Sequence, residues 1–329
     1  MPTSLARRSA AVPLGLAAAL TLAACGGSAD AGQAKAAPKT RKVAGTTFDL
    51  SPDQHRITTP EVPAIAALVP QAIRSRGTLE VVDSATTSPP LDFYATDDRT
   101  VIGVETDIAH LIADVLGLTM HQNTGAWEQI FVGLDSGKYD LGVSNITVTE
   151  ERKEKYDFAT YRLDNLAFEA RKGSGLRIGG PRDVAGRTIG VASGTNQEKL
   201  LVDWSAADVK NGLKPVDIKY YQKPSDYYLA LGSGRIEAWL GPNPSAAYHV
   251  AAAGESEIAG TYSGGGATVQ GKIAATTKKD NGLIKAVQQA LQTVIDNGSY
   301  AQVLKRWGLS GEAVPTSELN PPGLPKTGT

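Results

Sequence analysis

The sequence predicts an α/β fold built from two βαβ units, each a largely parallel sheet covered by helices. Three observations lead there. Short apolar runs at 79–82, 118–121, 188–191, 215–220 and 236–240 alternate with longer stretches of helical period. Glycine or proline stands at most junctions, as at Gly117, Gly137 and the Gly241-Pro242 pair. Once the two ends are set aside, about 270 residues remain to be folded, enough for two domains of ordinary size.

Residues 44–60 carry no firm pattern. From 62 to 73, Ile65, Leu68, Val69 and Ile73 share a helical face; Pro63 is harmless in a first turn, whereas Pro70 weakens the middle. A strand at 79–82 is followed by a proline-bearing loop over 86–92 and a strand at 101–104. Ile108, Leu111, Ile112, Val115 and Leu116 then define a helix stopped by Gly117. After the strand at 118–121, a helix over 127–136 ends at Gly137 and leads to a strand at 141–148. The second unit alternates strands at 188–191, 215–220 and 236–240 with helices at 195 onward, 224–231 and 244–253. Extended segments over 267–277 precede an amphipathic helix through Leu283, Val287, Leu291 and Val294, and Tyr300, Val303, Leu304 and Trp307 form a last short helix in which Trp307 packs into the core.

Two anion sites follow from this reading. Thr149 stands at a helix cap with Glu150 and Glu151 on the first-turn amides, and Arg152 rides on that turn beside the polar strand end Ser144, Asn145 and Thr147. A planar guanidinium there suits a carboxylate, gripped by two parallel hydrogen bonds. A surface arginine paired with Glu or Asp is the plainer alternative. In the second unit Gly194 leads to Thr195, and Glu198 three residues on completes a capping box whose free amides face an anion; here the plainer reading is that the box only caps.

The N-terminus reads as an export signal over 1–24, with Arg7 and Arg8 ahead of an apolar run from 11 to 22 that is too short to span a bilayer. It closes on Leu22, Ala23, Ala24 and Cys25, an ending that resembles the lipobox of bacterial lipoproteins and implies lipidation of Cys25. Cys25 is the single cysteine, so no disulfide supports the fold. Residues 25–42 are a tether, 43–74 an N-terminal extension and 313–329 a flexible tail. Lys and Arg total 33 against 34 Asp and Glu, and loss of the signal leaves a charge near −3. That excludes a basic surface for nucleic acid.

The runs RGTLEVV at 76–82, VIGVETDIAHLIADVLGL at 101–118, LDSGKYDLGVSNITVTEERKEKYDF at 134–158 and VAGRTIGVASGTNQEKL at 184–200, with LALGSGRIEAWL at 229–240 and VIDNGSYAQVLKRWGL at 294–309, resemble those of solute-binding proteins serving polar amino acid ABC importers. The resemblance covers about 75–311. It implies a periplasmic-binding-protein-like fold of type II: lobe 1 from 75–168 and 263–312, lobe 2 from 169–262, two crossover strands, and a solute in the cleft between. It further implies a monomeric lipoprotein on the outer face of the cell membrane that hands a small carboxylate-bearing solute to a permease, with no cofactor and no metal.

Carried over residue by residue, the carboxylate-binding arginine falls on Arg152, the strand-end polar residues on Ser144, Asn145 and Thr147, and the lobe 2 threonine on Thr195 beside Gly194. Two positions depart from the pattern. Where the family places an Asp for the solute's ammonium, this chain has Pro242 and then Asn243, and neither neutralises a cation. Ser88 replaces the aromatic that precedes the Pro89-Pro90 pair, so Tyr94 or Trp127 is expected to cover the solute. These departures point to a carboxylate whose amine is secondary, methylated, absent, or matched elsewhere, as by Asp92 or Glu128.

Two other readings use the same fold. A dehydratase or lyase needs a tuned acid or base in the cleft, and His110, His121 and His249 fall at ordinary helix or strand positions. A sensor partner needs a receiver that the chain does not display. GSG at 232–234 does not make a dinucleotide fingerprint.

Overall fold

A computed structural model describes residues 38–85 and 89–326. Cys25, the export signal and Ser88 lie outside the described residues. The chain enters through a hairpin of β1 (Thr40–Val43) and β2 (Thr46–Asp49), whose Phe48 meets Tyr248 edge-on. The helix expected over 62–73 is broken into α1 (Pro63–Ala66) and α2 (Gln71–Arg76). Pro70 is the break: it cannot donate within a helix, and it stands instead at the start of the second one.

Lobe 1 then forms around β3 (Thr78–Asp83). A side hairpin of β4 (Phe93–Tyr94) and β5 (Val101–Ile102) precedes α3 (Val104–Val115), β6 (Thr119–Thr124), α4 (Trp127–Ser136) and β7 (Leu141–Gly142). The expected strand at 101–104 thus pairs with β4, outside the main sheet. β8 (Tyr156–Leu163) runs on into β9 (Asn165–Arg171), the first crossover into lobe 2. There β10 (Thr188–Val191), α5 (Asn196–Lys210), β11 (Asp217–Tyr220), α6 (Pro224–Gly232), β12 (Ala238–Pro242) and α7 (Asn243–Ala253) alternate. β13 (Ser256–Ser263) and β14 (Lys272–Lys278) form the return crossover, and α8 (Ile284–Asp296) and α9 (Ser299–Arg306) close lobe 1.

Each lobe has a five-stranded sheet, ordered β6-β3-β7-β14-β8 and β11-β10-β12-β9-β13. The first three strands of each are parallel and the crossover strands antiparallel. This is the two-lobed α/β architecture of type II periplasmic-binding proteins. Sequence alternation explains how the sheets are covered. In β3, Leu79 and Val81 enter the core under α3, α8 and α9, while Val82 faces the α4 side. Leu166, Phe168 and Ala170 of β9 do the same for lobe 2 and pack with Leu200 and Trp204 of α5.

The two crossovers are bonded to each other at the hinge. Asp164 N–H donates to Gly271 O at 2.8 Å and Gly264 N–H to Asp164 O at 2.9 Å. Gly264 has no substitute there, because a Cβ would lie 1.7 Å from the Asp164 carboxylate.

The segment after 312, expected as a loose tail, is strapped to the body as far as Lys326. Leu324 pairs with Val148 and Thr149, Asn320 holds Phe158 N–H at 2.8 Å, and Leu319 bridges Ala159. Proline and glycine content made it read as loose, but its backbone is paired and Leu324 is buried among Leu166, Leu200 and Trp204. Leu324→Ala should cost about 2–5 kcal/mol of unfolding free energy by urea titration, as for other buried leucines; a change within about 0.5 kcal/mol would show the strap adds nothing.

Candidate functional site

Strands that end in parallel leave loops with polar backbone groups at one edge of the sheet, the usual place for a ligand. In both lobes those edges open on one cavity of ≈ 120 Å³. β3 leads to Ser84, β7 to Ser144 and Asn145, β10 to Ala192 and Thr195, and β12 ends in Gly241 and Pro242. Trp127 on the first turn of α4 forms part of the wall.

The Ser144–Thr147 stretch is irregular: the regular ladder ends at Leu141–Gly142, and beyond it Thr147 makes only an isolated bridge to Ile273 of β14. Asn145 sits at φ +51°, a left-handed conformation that asparagine tolerates better than most residues. Its side-chain oxygen accepts from Arg162, and its N–H donates to Glu105 at 3.2 Å. Ser144 Oγ donates to Asp92 at 2.7 Å and accepts from Ser84 N–H at 2.9 Å. Burial, and then the charge of Glu105, raises Asp92 to about 7. Thr147 Oγ1 donates to the Asp164 carboxylate at 2.8 Å.

Arg152 begins a three-residue 3₁₀ turn, not the α-helix expected after Thr149, though Thr149 Oγ1 does accept the Arg152 N–H at 3.0 Å. Its guanidinium donates to Thr147 O at 3.0 Å and, across the gap, to Gly194 O at 3.1 Å. Trp127 and Phe131 lie against it, their ring centres 5.3 and 5.2 Å away. Burial lowers its pKa to about 10, opposed by Asp164 and Glu151, so it stays charged at neutrality. Gly194 O also accepts from Trp127 Nε1 at 3.1 Å, so two lobe 1 side chains hold one lobe 2 carbonyl.

Thr195 caps α5 by accepting Glu198 N–H at 3.2 Å. The capping box is shifted, because the Glu198 carboxylate returns to Gly194 N–H at 2.6 Å. Asn196 Nδ2 donates to Asp164 at 3.0 Å. Asp164, in the hinge between β8 and β9, therefore takes one hydrogen bond from each lobe. Burial lifts its carboxyl from 3.8 to about 6 against those two bonds and the charge of Arg162.

Ser144, Asn145, Thr195 and Trp127 thus meet on the cavity. Thr147 stands behind it through Asp164, and Arg152 and Gly194 line a neighbouring hollow that shares Thr195 and Asn196 with it. Two expected contacts are elsewhere. Asn243 opens α7 and faces a hollow with Val43, Phe48 and Trp307, since the helix that starts there carries its side chain away from the strand end. Tyr94 is on the exposed side hairpin, in a hollow with Arg56 and Arg99. Neither Asp92, packed behind Ser84 and Ser144, nor Glu128, which accepts from Gln222 at 3.3 Å, lines the cavity.

Residues 81–310 match the bacterial extracellular solute-binding proteins, family 3. The chain belongs to that family. This family 3 protein is 29% identical over 236 residues to the L-cystine-binding protein TcyJ of Escherichia coli K12, covering 71% of this chain and 84% of TcyJ. It is 27% identical over 250 residues to the arginine-binding protein ArgT of Corynebacterium glutamicum, covering 75% and 80%. Among solved structures it is similar to an ancestral arginine-binding protein bound to arginine, with a TM-score of 0.61, 27% identity and coverage of 70% and 98%. Together these place it with the substrate-binding proteins of amino-acid-type ABC transporters. Among the described residues no three His, Cys, Asp or Glu side chains gather as metal ligands.

Sequence reasoning missed Asp164 and Glu169. Both are carboxylates in otherwise apolar or hinge-spanning strands, and that mismatch was their only signal. Asp164 yields a test. Its folded pKa lies above its unfolded one, so the folded chain keeps a proton the unfolded chain has lost. The resulting stability is present below pH 4 and is lost as pH rises through about 6. Wild type should lose roughly 3 kcal/mol more than Asp164→Asn between pH 4 and 7 in parallel urea titrations; parallel profiles would refute the shift.

Proposed function

We propose that this protein captures a small carboxylate-bearing solute, an amino acid or a derivative of one, between its lobes and presents it to a membrane permease. The cavity where both sheets end carries this reading, because the N-terminal turn of α5 lines it and Arg152, bonded to Gly194 O, stands in the adjoining hollow that shares Thr195 and Asn196 with it. The Glu198 amide is taken by the Thr195 cap, but those of Asn196 and Gln197 before it have no intrahelical partner and carry the positive end of the helix dipole. A guanidinium has five donors, and two bonds to carbonyls leave capacity for a carboxylate. An anion drawn by Arg152 from one lobe and by α5 from the other favours closure, since each lobe supplies half of its partners.

Ser144 and Asn145 supply neutral polar groups, and Trp127 covers the rim. With Pro242 at the position of the missing acid and Asn243 turned away, a primary α-ammonium finds no carboxylate at the strand ends. The solute's amine is therefore absent, substituted or held by neutral acceptors. The sequence around Cys25 further supports attachment to the outer face of the cell membrane through a lipid on that residue.

Titration calorimetry against a panel of amino acids and carboxylic acids tests this. A carboxylate-bearing ligand should bind, and Arg152→Ala should weaken it about 30- to 1000-fold. Failure of the whole panel to bind, or undiminished capture by Arg152→Ala, would remove the assignment.

A further inference from the structure

The cavity does not stop at the strand ends. It continues into lobe 2, where Glu169, Tyr227, Tyr228 and Trp239 line it. Because Leu166, Phe168 and Ala170 fill the core on one side of β9, Glu169 projects from the other, toward α6 and α7. It is completely buried and sits opposite Trp239 in the antiparallel ladder. Its Oε1 accepts from Ser256 Oγ at 2.5 Å and lies 2.5 Å from His249 Nδ1. Its Oε2 meets no hydrogen-bond partner among the described residues. A buried carboxylate oxygen in that state costs several kcal/mol of lost solvation unless something donates to it.

The surroundings specify the donor. Of the described residues lining this cavity, Glu169 alone carries a formal charge; no lysine or arginine does. Tyr227 and Trp239 are stacked at 3.9 Å, Tyr228 and His249 at 3.6 Å, giving walls that strip water from whatever enters. In such surroundings one opposite charge is worth far more than in water. Depth separates the two ends of the ligand. Trp239, the partner of Glu169, lies three positions before Pro242 at the strand end, roughly 10 Å along the strand. An ammonium next to a carboxylate held at the rim cannot reach that floor, whereas one at the end of a short flexible chain can.

We propose that lobe 2 contains a cation-binding subsite centred on Glu169, and that the solute is a carboxylate bearing a guanidinium or ammonium group at its far end. This rests on the carboxylate reading of the rim and adds the other half of the ligand. Glu169 then supplies the counter-charge that Pro242 does not, for a different nitrogen.

The test compares L-arginine with L-citrulline, which replaces the guanidinium by a neutral group of the same shape, using the full chain and titration calorimetry. Wild type should prefer arginine by about 10- to 100-fold, the worth of a charge-assisted contact. Glu169→Gln should bring the two within about threefold, whereas Arg152→Ala should weaken both and keep their ratio. A crystal structure of wild type with L-arginine should show a guanidinium nitrogen within hydrogen-bond distance of Glu169 Oε2, and this needs no variant to fold. Equal affinity for the two, or preference for a carboxylate without a distal cation, overturns the subsite and leaves solute capture standing. If no carboxylate binds at all, the underlying reading falls as well.

Discussion

The guanidinium of Arg162 is the contact on which the cleft depends. Wholly buried in β8, it ties Glu105 of α3 at 2.9 Å, Glu312 beyond α9 and the side chain of Asn145 in the cleft loop. Glu105 in turn holds the Asn145 N–H and the Tyr161 hydroxyl. Charges at such depth are tolerable only when paired and hydrogen-bonded, so every member of the network has its place prescribed by the others. The left-handed backbone at Asn145 persists because two charged groups fix it from either side. Ser144 and Thr147 are held by the carboxylates of Asp92 and Asp164 in the same way. The polar end of lobe 1 is thus set by buried acids, and the residues facing the gap inherit their positions from behind.

The gap itself is drawn together by carbonyls and carboxylates. Gly194 O takes one bond from Arg152 and one from Trp127, and Asp164 takes one from Thr147 and one from Asn196. Gly194 O of lobe 2 is held by two lobe 1 donors and Asp164 by one donor from each lobe, geometries that exist only while the lobes are near. The apolar remainder is supplied by the rings around Trp239, which belong to lobe 2 alone.

The fold was legible because its signals are local. Alternation in β3 and β10, the period of α3 and the glycine after α4 each specify an element through a few neighbouring residues. Pro70 was visible as a weak point, and its real effect, splitting the helix, needed only the rule against an interior proline. The site was legible in part. Thr195 was readable as a cap, but which amide Glu198 would hold was not. Asn243 was misplaced because a helix start rotates the next side chain away from the strand edge, a matter of local handedness that spacing alone does not convey. Glu169 went unremarked because its meaning lies in partners about 80 residues away, His249 and Ser256.

The strap that ends the described chain has a mechanical side. Its backbone is sewn to Val148 and Thr149 of lobe 1, yet Leu324 is sunk among the core residues of lobe 2, next to Gly266 on the return crossover. It acts as a third connection beside the two crossover strands. A swing of one lobe away from the other either drags this leucine along or bares it to water, at about 1.5–3 kcal/mol. Opening is thereby spring-loaded from the C-terminal side.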